Sequence, residues 1–306
     1  MSEYPAAAQP LLAFTPKKDF FIGIDSDGCA MDVMTIKHEE CFAPAAIKQF
    51  GLQPISHIAR ETWMFVNLYS ATRGCNRWVA LDLFFDHLRN RADVAARGID
   101  IPPMSELKAF LSSDHPNSDD GIAAYAREHP SQEIDTCREW SRLVGDLTTW
   151  MVHGCAPFPG VKEAFEAMSD KADCMTVSAA NLAALTREWG EHGLTPYMEI
   201  VAGQEMGTKA QHLAAAAVGK YPSKRILLLG DAPGDLDAAR SQGVCFYPIT
   251  PGAEAESWRR LREEALPRFF AETYRGDYEN TLVEEFRQLL PSRAPWESTG
   301  DNVTTR

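Results

Sequence analysis

Six polar residues stand where short apolar runs end or helices begin. Asp25 and Asp27 follow Phe20-Phe21-Ile22-Gly23-Ile24, and Ser178 follows Cys174-Met175-Thr176-Val177. Lys209 stands in Gly207-Thr208-Lys209, and Asp231 and Asp235 follow Ile226-Leu227-Leu228-Leu229. A carboxylate can attack a phosphoryl group and form an aspartyl-phosphate. A hard cation such as Mg²⁺ takes carboxylate and phosphate oxygens and relieves repulsion between the anionic partners. An ammonium and a hydroxyl bind phosphoryl oxygens where charge accumulates. Brought to one place, these six residues make a phosphoryl-transfer site. Taken singly each has a plainer reading: a turn at Asp25-Ser26-Asp27-Gly28, helix caps at Ser178 and Asp235, a solvated charge at Lys209. The joint, ordered pattern carries the chemical reading.

The elements that must position them can be read from apolar patterning. Runs without polar alternation suit strands covered on both faces by helices. Such runs occur at 20–24, 174–177, 226–229 and 244–247, with a shorter one at 199–202. Helical segments separate them at about 160–169, 181–192, 208–218 and 235–242. The alternation predicts an α/β fold with a doubly wound parallel sheet and ligands at the C-terminal strand ends. From 33 to 153 the texture changes. Apolar residues recur at helical spacing, as in Trp63, Val66, Leu68 and Tyr69, and in Trp78, Leu81, Phe84, Phe85 and Leu88. This stretch predicts an inserted, largely helical domain. Within it, Arg73 and Asn76 in Arg73-Gly74-Cys75-Asn76-Arg77 are candidates to face a bound anion; a helix–helix loop with surface arginines fits equally well. Residues 251–306 predict a helical C-terminal extension with apolar faces at Trp258, Leu261, Leu266, Phe269 and Phe270, and at Tyr278, Leu282, Phe286, Leu289 and Leu290. Residues 1–18 read as a loose leader, and the chain from about 291 as polar and frayed.

Asp25-Ser26-Asp27-Gly28 resembles the DxDG first motif of the haloacid dehalogenase (HAD) superfamily. Ser178 resembles the second motif, Lys209 the third, and Gly230-Asp231-Ala232-Pro233-Gly234-Asp235 the GDxxxD fourth motif, all in family order. The resemblance implies a Rossmann-like core at 18–32 and 154–250, a type-1 helical cap at 33–153 that closes over the core, and an extension at 251–306. It implies Asp25 as nucleophile and metal ligand, and Asp27 as general acid and base whose carbonyl also binds the metal. Ser178 and Lys209 would hold the phosphoryl group, and Asp231 and Asp235 would complete the Mg²⁺ site. Dehalogenases of the family lack the second acid, so Asp27 implies a phosphatase acting on a small phosphate monoester. A sugar-phosphate mutase, or a catalytically weak binding or regulatory protein, remains compatible with the resemblance. Cys29 and Ala210 depart from common family residues at positions that supply no catalytic group.

Bulk properties fit this reading. A formal charge of −13 and a pI near 5.1 argue against nucleic acid or an anionic membrane as the main partner. A small phosphorylated metabolite is compatible, because a bound cation reverses the local field. The sequence shows no signal peptide or spanning run. Seven scattered cysteines without a CxxC pair predict neither a disulfide framework nor a zinc site, and suit a cytoplasmic setting. No HExxH, GxSxG, P-loop or GxGxxG pattern competes. No pattern specifies an oligomeric state.

Overall fold

Four apolar runs, β1 (Phe20–Ile24), β2 (Ala172–Thr176), β3 (Ile226–Gly230) and β4 (Cys245–Pro248), are buried along their whole length. In the computed structural model, which describes residues 4–297, they form one parallel sheet in the order β2-β1-β3-β4. Burial on both faces explains why none of them alternates polar and apolar residues. Ile24 lies opposite Thr176 on one side and Leu229 on the other. Gly23 has no room for a side chain, since a Cβ there would sit 2.8 Å from a methyl of Val177. The chain divides into two compact units: Met1–Met34 with His153–Leu289, and Thr35–Val152 with Leu290–Arg306.

The first unit contains all four strands. Helices Val161–Met168, Leu182–Glu191, Lys209–Ala216 and Pro233–Ser241 alternate with them. The stretch 199–202, expected as a strand, makes only one isolated bridge, Met175 to Ile200. Glu199 N–H still donates to Cys174 O (2.8 Å) and Thr176 N–H to Ile200 O (3.2 Å). The ladder then fails because the Thr176 hydroxyl takes over, accepting from Ala202 N–H (2.6 Å) and donating to Ala202 O (3.0 Å).

The expected loose leader is docked instead. Its helix Gln9–Ala13 buries Leu11, and the Lys220 ammonium donates to the carbonyls of Leu11, Leu12 and Phe14 at 2.8–3.1 Å. A lysine there satisfies carbonyls that a helix end leaves without partners. The backbone N–H groups of Lys17 and Lys18 donate to buried Asp173, as does the Tyr221 hydroxyl at 2.6 Å. After β4, helices Glu254–Arg260 and Leu266–Phe270 flank a wider turn at Leu261–Ala265. Trp258, Leu261, Leu266 and Phe269 are buried there, with Phe270 at the margin. Helix Asp277–Gln288 buries Leu282, Val283 and Phe286, while Tyr278 is half-buried and Leu289 exposed. This extension covers the edge of the sheet: Glu279 accepts from Phe246 N–H (2.8 Å), and the Tyr274 hydroxyl donates to Phe246 O (2.6 Å).

The second unit is helical, built on Ala43–Gln49, Ser56–Leu68, Arg77–Arg89, Ser105–Leu111, Asp119–Glu128 and Gln132–Met151. Trp140 packs edge-on against Trp63 and Trp78, each at 5.7 Å between centroids. The chain returns to this unit at its far end. Pro291 O accepts from Ala71 N–H (3.0 Å), Trp296 packs edge-on to Phe65 (5.2 Å), and the Arg91 guanidinium lies 4.1 Å from the Trp296 ring centroid. Residues 290–297 are thus fixed rather than frayed, because Trp296 has an aromatic and a cationic partner. The rest of the expected fray, from 298, lies outside the described residues. All seven cysteines are free thiols.

Candidate active site

Asp25 continues the sheet one residue past β1, its N–H donating to Leu229 O (3.0 Å), and is 5% exposed. The loop behind it curls around one carbonyl. Ser26 O accepts from the N–H groups of Cys29, Ala30 and Met31 at 2.8–3.3 Å, and Gly28 adopts φ +79°, which favours glycine. Two buried indoles fix this loop: Trp189 Nε1–H donates to Ser26 Oγ and Trp258 Nε1–H to Cys29 O, each at 2.9 Å. Phe158 N–H donates to Ala30 O (3.0 Å) and holds the loop's far side. Asp27 sits half-buried within it. Neither indole is legible as a site residue in the sequence, because both come from helices far along the chain.

At the end of β3, Gly230 and Asp231 lead into the helix Pro233–Ser241. Asp235, in that helix's first turn, accepts from the N–H groups of Asp231 (3.2 Å) and Ala232 (3.1 Å). A carboxylate there satisfies amides that the helix start leaves open. Asp235 packs so closely on Gly230 that a Cβ would fall 2.4 Å from the Asp235 Cβ. Lys209 opens its own helix, where Thr208 and Gln211 form a reciprocal capping box.

The segments converge through Lys209. Its ammonium lies 2.9 Å from Asp25 Oδ1 and is ion-paired with Asp235 Oδ1. Asp25, Asp231 and Asp235, all buried, each present an oxygen within 4.8 Å of the other two. Burial pushes the Asp25 carboxyl well above the usual carboxylate range; Lys209 opposes that push, while Asp235 and Asp231 reinforce it. Burial also works against the charge on Lys209, but Asp235 and Asp25 outweigh it and hold the ammonium above the ordinary lysine range. Three buried carboxylates at this spacing are the oxygen donor set that a hard divalent cation takes, and a cation there would favour ionised Asp25. Cys29 is no rival nucleophile, since burial and then Asp25 push its thiol well up.

Ser178 reaches the same strand edge. Val177 N–H donates to Ile24 O (2.8 Å), which carries the β1–β2 pairing one step further. Ser178 is 2% exposed, and its Oγ accepts from Ala180 N–H (3.1 Å). Arg73 and Asn76 belong to the helical unit. Arg73 is 5% exposed and donates to Leu68 O (3.0 Å), so it is not a surface arginine. Asn76 caps the helix Arg77–Arg89: its Oδ1 accepts from Trp78 N–H (2.9 Å), and its Nδ2 donates to Asn117 O (2.8 Å).

No protein-family model matches the chain, and no curated protein matches it in sequence. Among solved structures it is similar to a haloacid dehalogenase-like family hydrolase from Streptococcus pneumoniae, at 11% identity and a TM-score of 0.41, covering 78% of this chain and 90% of that one. It is also similar to a predicted phosphoglycolate phosphatase from Haemophilus somnus 129pt, at 16% identity and a TM-score of 0.44, covering 77% and 88%.

Proposed function

We propose that the chain is a Mg²⁺-dependent phosphohydrolase of the haloacid dehalogenase type that cleaves a small phosphate monoester. The observation that carries this reading is the meeting of Asp25, Lys209, Asp231 and Asp235, from three separate segments, at one end of the sheet. Asp25, Asp231 and Asp235, with the Asp27 carbonyl, would hold Mg²⁺, which supplies charge neutralisation for the approaching phosphate. An Asp25 oxygen forms a bond to phosphorus as the ester P–O bond breaks, and the Asp27 carboxyl gives its proton to the departing oxygen. Water then attacks phosphorus, its proton passes to Asp27, and Asp25 is released. Lys209 pairs with Asp25 before attack and with the phosphoryl oxygens during it; Ser178 donates to the same oxygens. The free thiols and the absence, among the described residues, of any helix long and apolar enough to cross a membrane fit our placement of the enzyme in the cytoplasm.

The test is phosphate release from a panel of phosphate monoesters, with and without Mg²⁺. Asp25→Asn should lower turnover by at least ~10³-fold with an unchanged circular dichroism spectrum. Near-parental turnover by that variant would overturn the nucleophile assignment.

A further inference from the structure

His38 lies in the helical unit, on a π-helical stretch from Lys37 to Phe42. Such widened turns occur often at functional sites. Its Nδ1 accepts a hydrogen bond from Trp63 Nε1–H at 3.1 Å. An indole only donates, so the neutral imidazole must carry its proton on Nε2. The ring is stacked on Phe42, 4.8 Å between centroids and 28° between planes, and Phe42 stacks in turn on Trp63. The tautomer and the ring plane are therefore both fixed, leaving Nε2–H as an oriented donor.

The groups around this ring are cationic. The Arg77 guanidinium lies 5.6 Å from the Phe42 ring centroid and donates to Ser141 Oγ (3.0 Å). Ser141 donates to Asp119 (2.7 Å), whose carboxylate is exposed and 3.9 Å from Arg77. Burial, followed by Arg73, Lys37 and Arg77, lowers the His38 pKa to about 3. A neutral ring beside three cations is costly to charge, yet it adds a donor without adding repulsion. Oriented N–H groups combined with guanidinium forks match the oxygens of a carboxylate or phosphate.

We propose that the helical unit carries an anion site of its own, in which His38 Nε2–H, Arg77 and Arg73 bind a carboxylate or phosphate group. Asn76 is left out of it, since its carboxamide caps a helix. The group is either a free anion or a second anionic group on a phosphorylated substrate, and only the latter rests on the phosphohydrolase reading.

The test follows the His38 ring nitrogens by NMR in the full chain at neutral pH without Mg²⁺, assigned by their loss in His38→Gln. Titration with inorganic phosphate and with malonate should each give a saturable shift of Nε2 with the tautomer unchanged. Arg77→Gln should weaken this binding about tenfold or more, and Arg77→Lys less. Asp25→Asn should leave it unchanged. Absence of a saturable shift with either anion in the folded parent overturns the proposal, as does loss of the shift in Asp25→Asn. Unweakened binding in Arg77→Gln overturns it too. In the Asp25→Asn chain, 3-phosphoglycerate binding tighter than both inorganic phosphate and malonate assigns the site to substrate; equal binding assigns it to a free anion.

Discussion

Removing the Asn76 side chain takes away a helix cap and a bond to a second loop. Asn76→Ala should therefore lower the stability of the helical unit by about 1 kcal/mol, read as a shift of the urea midpoint, with substrate preference unchanged. His212 supports a second prediction at this scale. It is 1% exposed, and neither ring nitrogen has a hydrogen-bond partner. Burial, then Lys209, lowers its pKa from 6.5 to about 4. Between those values the unfolded chain binds the proton and the folded chain does not. Stability present above pH 6.5 is therefore lost as pH falls toward 4, by about 3 kcal/mol from this group. Chemical denaturation at pH 7 and pH 5 checks it: His212→Leu should lose less stability over that interval than the parent. Individual residues were legible where chemistry demanded a type, as with Asp25, Lys209, Asp231 and Asp235. The indoles of Trp189 and Trp258 were not, because nothing local marks an aromatic that binds a loop more than a hundred residues away.

The strand ends put the reacting groups in place, and their close packing leaves little tolerance. Gly230→Ala would drive a methyl into Asp235 and displace the first turn of the helix Pro233–Ser241. Overpacking of this kind costs about 1–3 kcal/mol. Turnover should fall more steeply than stability, because the same shift moves the partner of Lys209. Paired urea and phosphate-release measurements separate the two effects. The four strands were readable from the sequence because each is apolar on both faces. The edge at 199–202 was misread because a threonine hydroxyl on the neighbouring strand replaces a ladder bond, which apolar patterning does not register. The leader was misread for a similar reason: its anchor is the ammonium of Lys220, remote in sequence.

At the scale of the molecule, the helical unit is made from two separate pieces of chain. The second is held by Trp296 between Phe65 and Arg91, and by Glu297, 2.9 Å from His87. Trp296→Ala removes a ring pair and a cation–π contact and should cost that unit roughly 2 kcal/mol. Thermal unfolding followed by hydrogen exchange should show the loss in helices Ser56–Leu68 and Arg77–Arg89, with the sheet unaffected. Polar composition near 291 hid this second piece, since one tryptophan outweighs the polar residues around it.

That discontinuity also sets an order of events on the ribosome. Helices from residues 35–152 emerge before most of the sheet, but their closing strap is translated only after residue 289. During that interval the Arg91 face and the Phe65 ring are without their indole lid, while the sheet, complete once β4 has emerged, can already assemble. The unit that begins folding early is therefore finished late, and its unfinished surface is where a nascent-chain chaperone would have reason to bind.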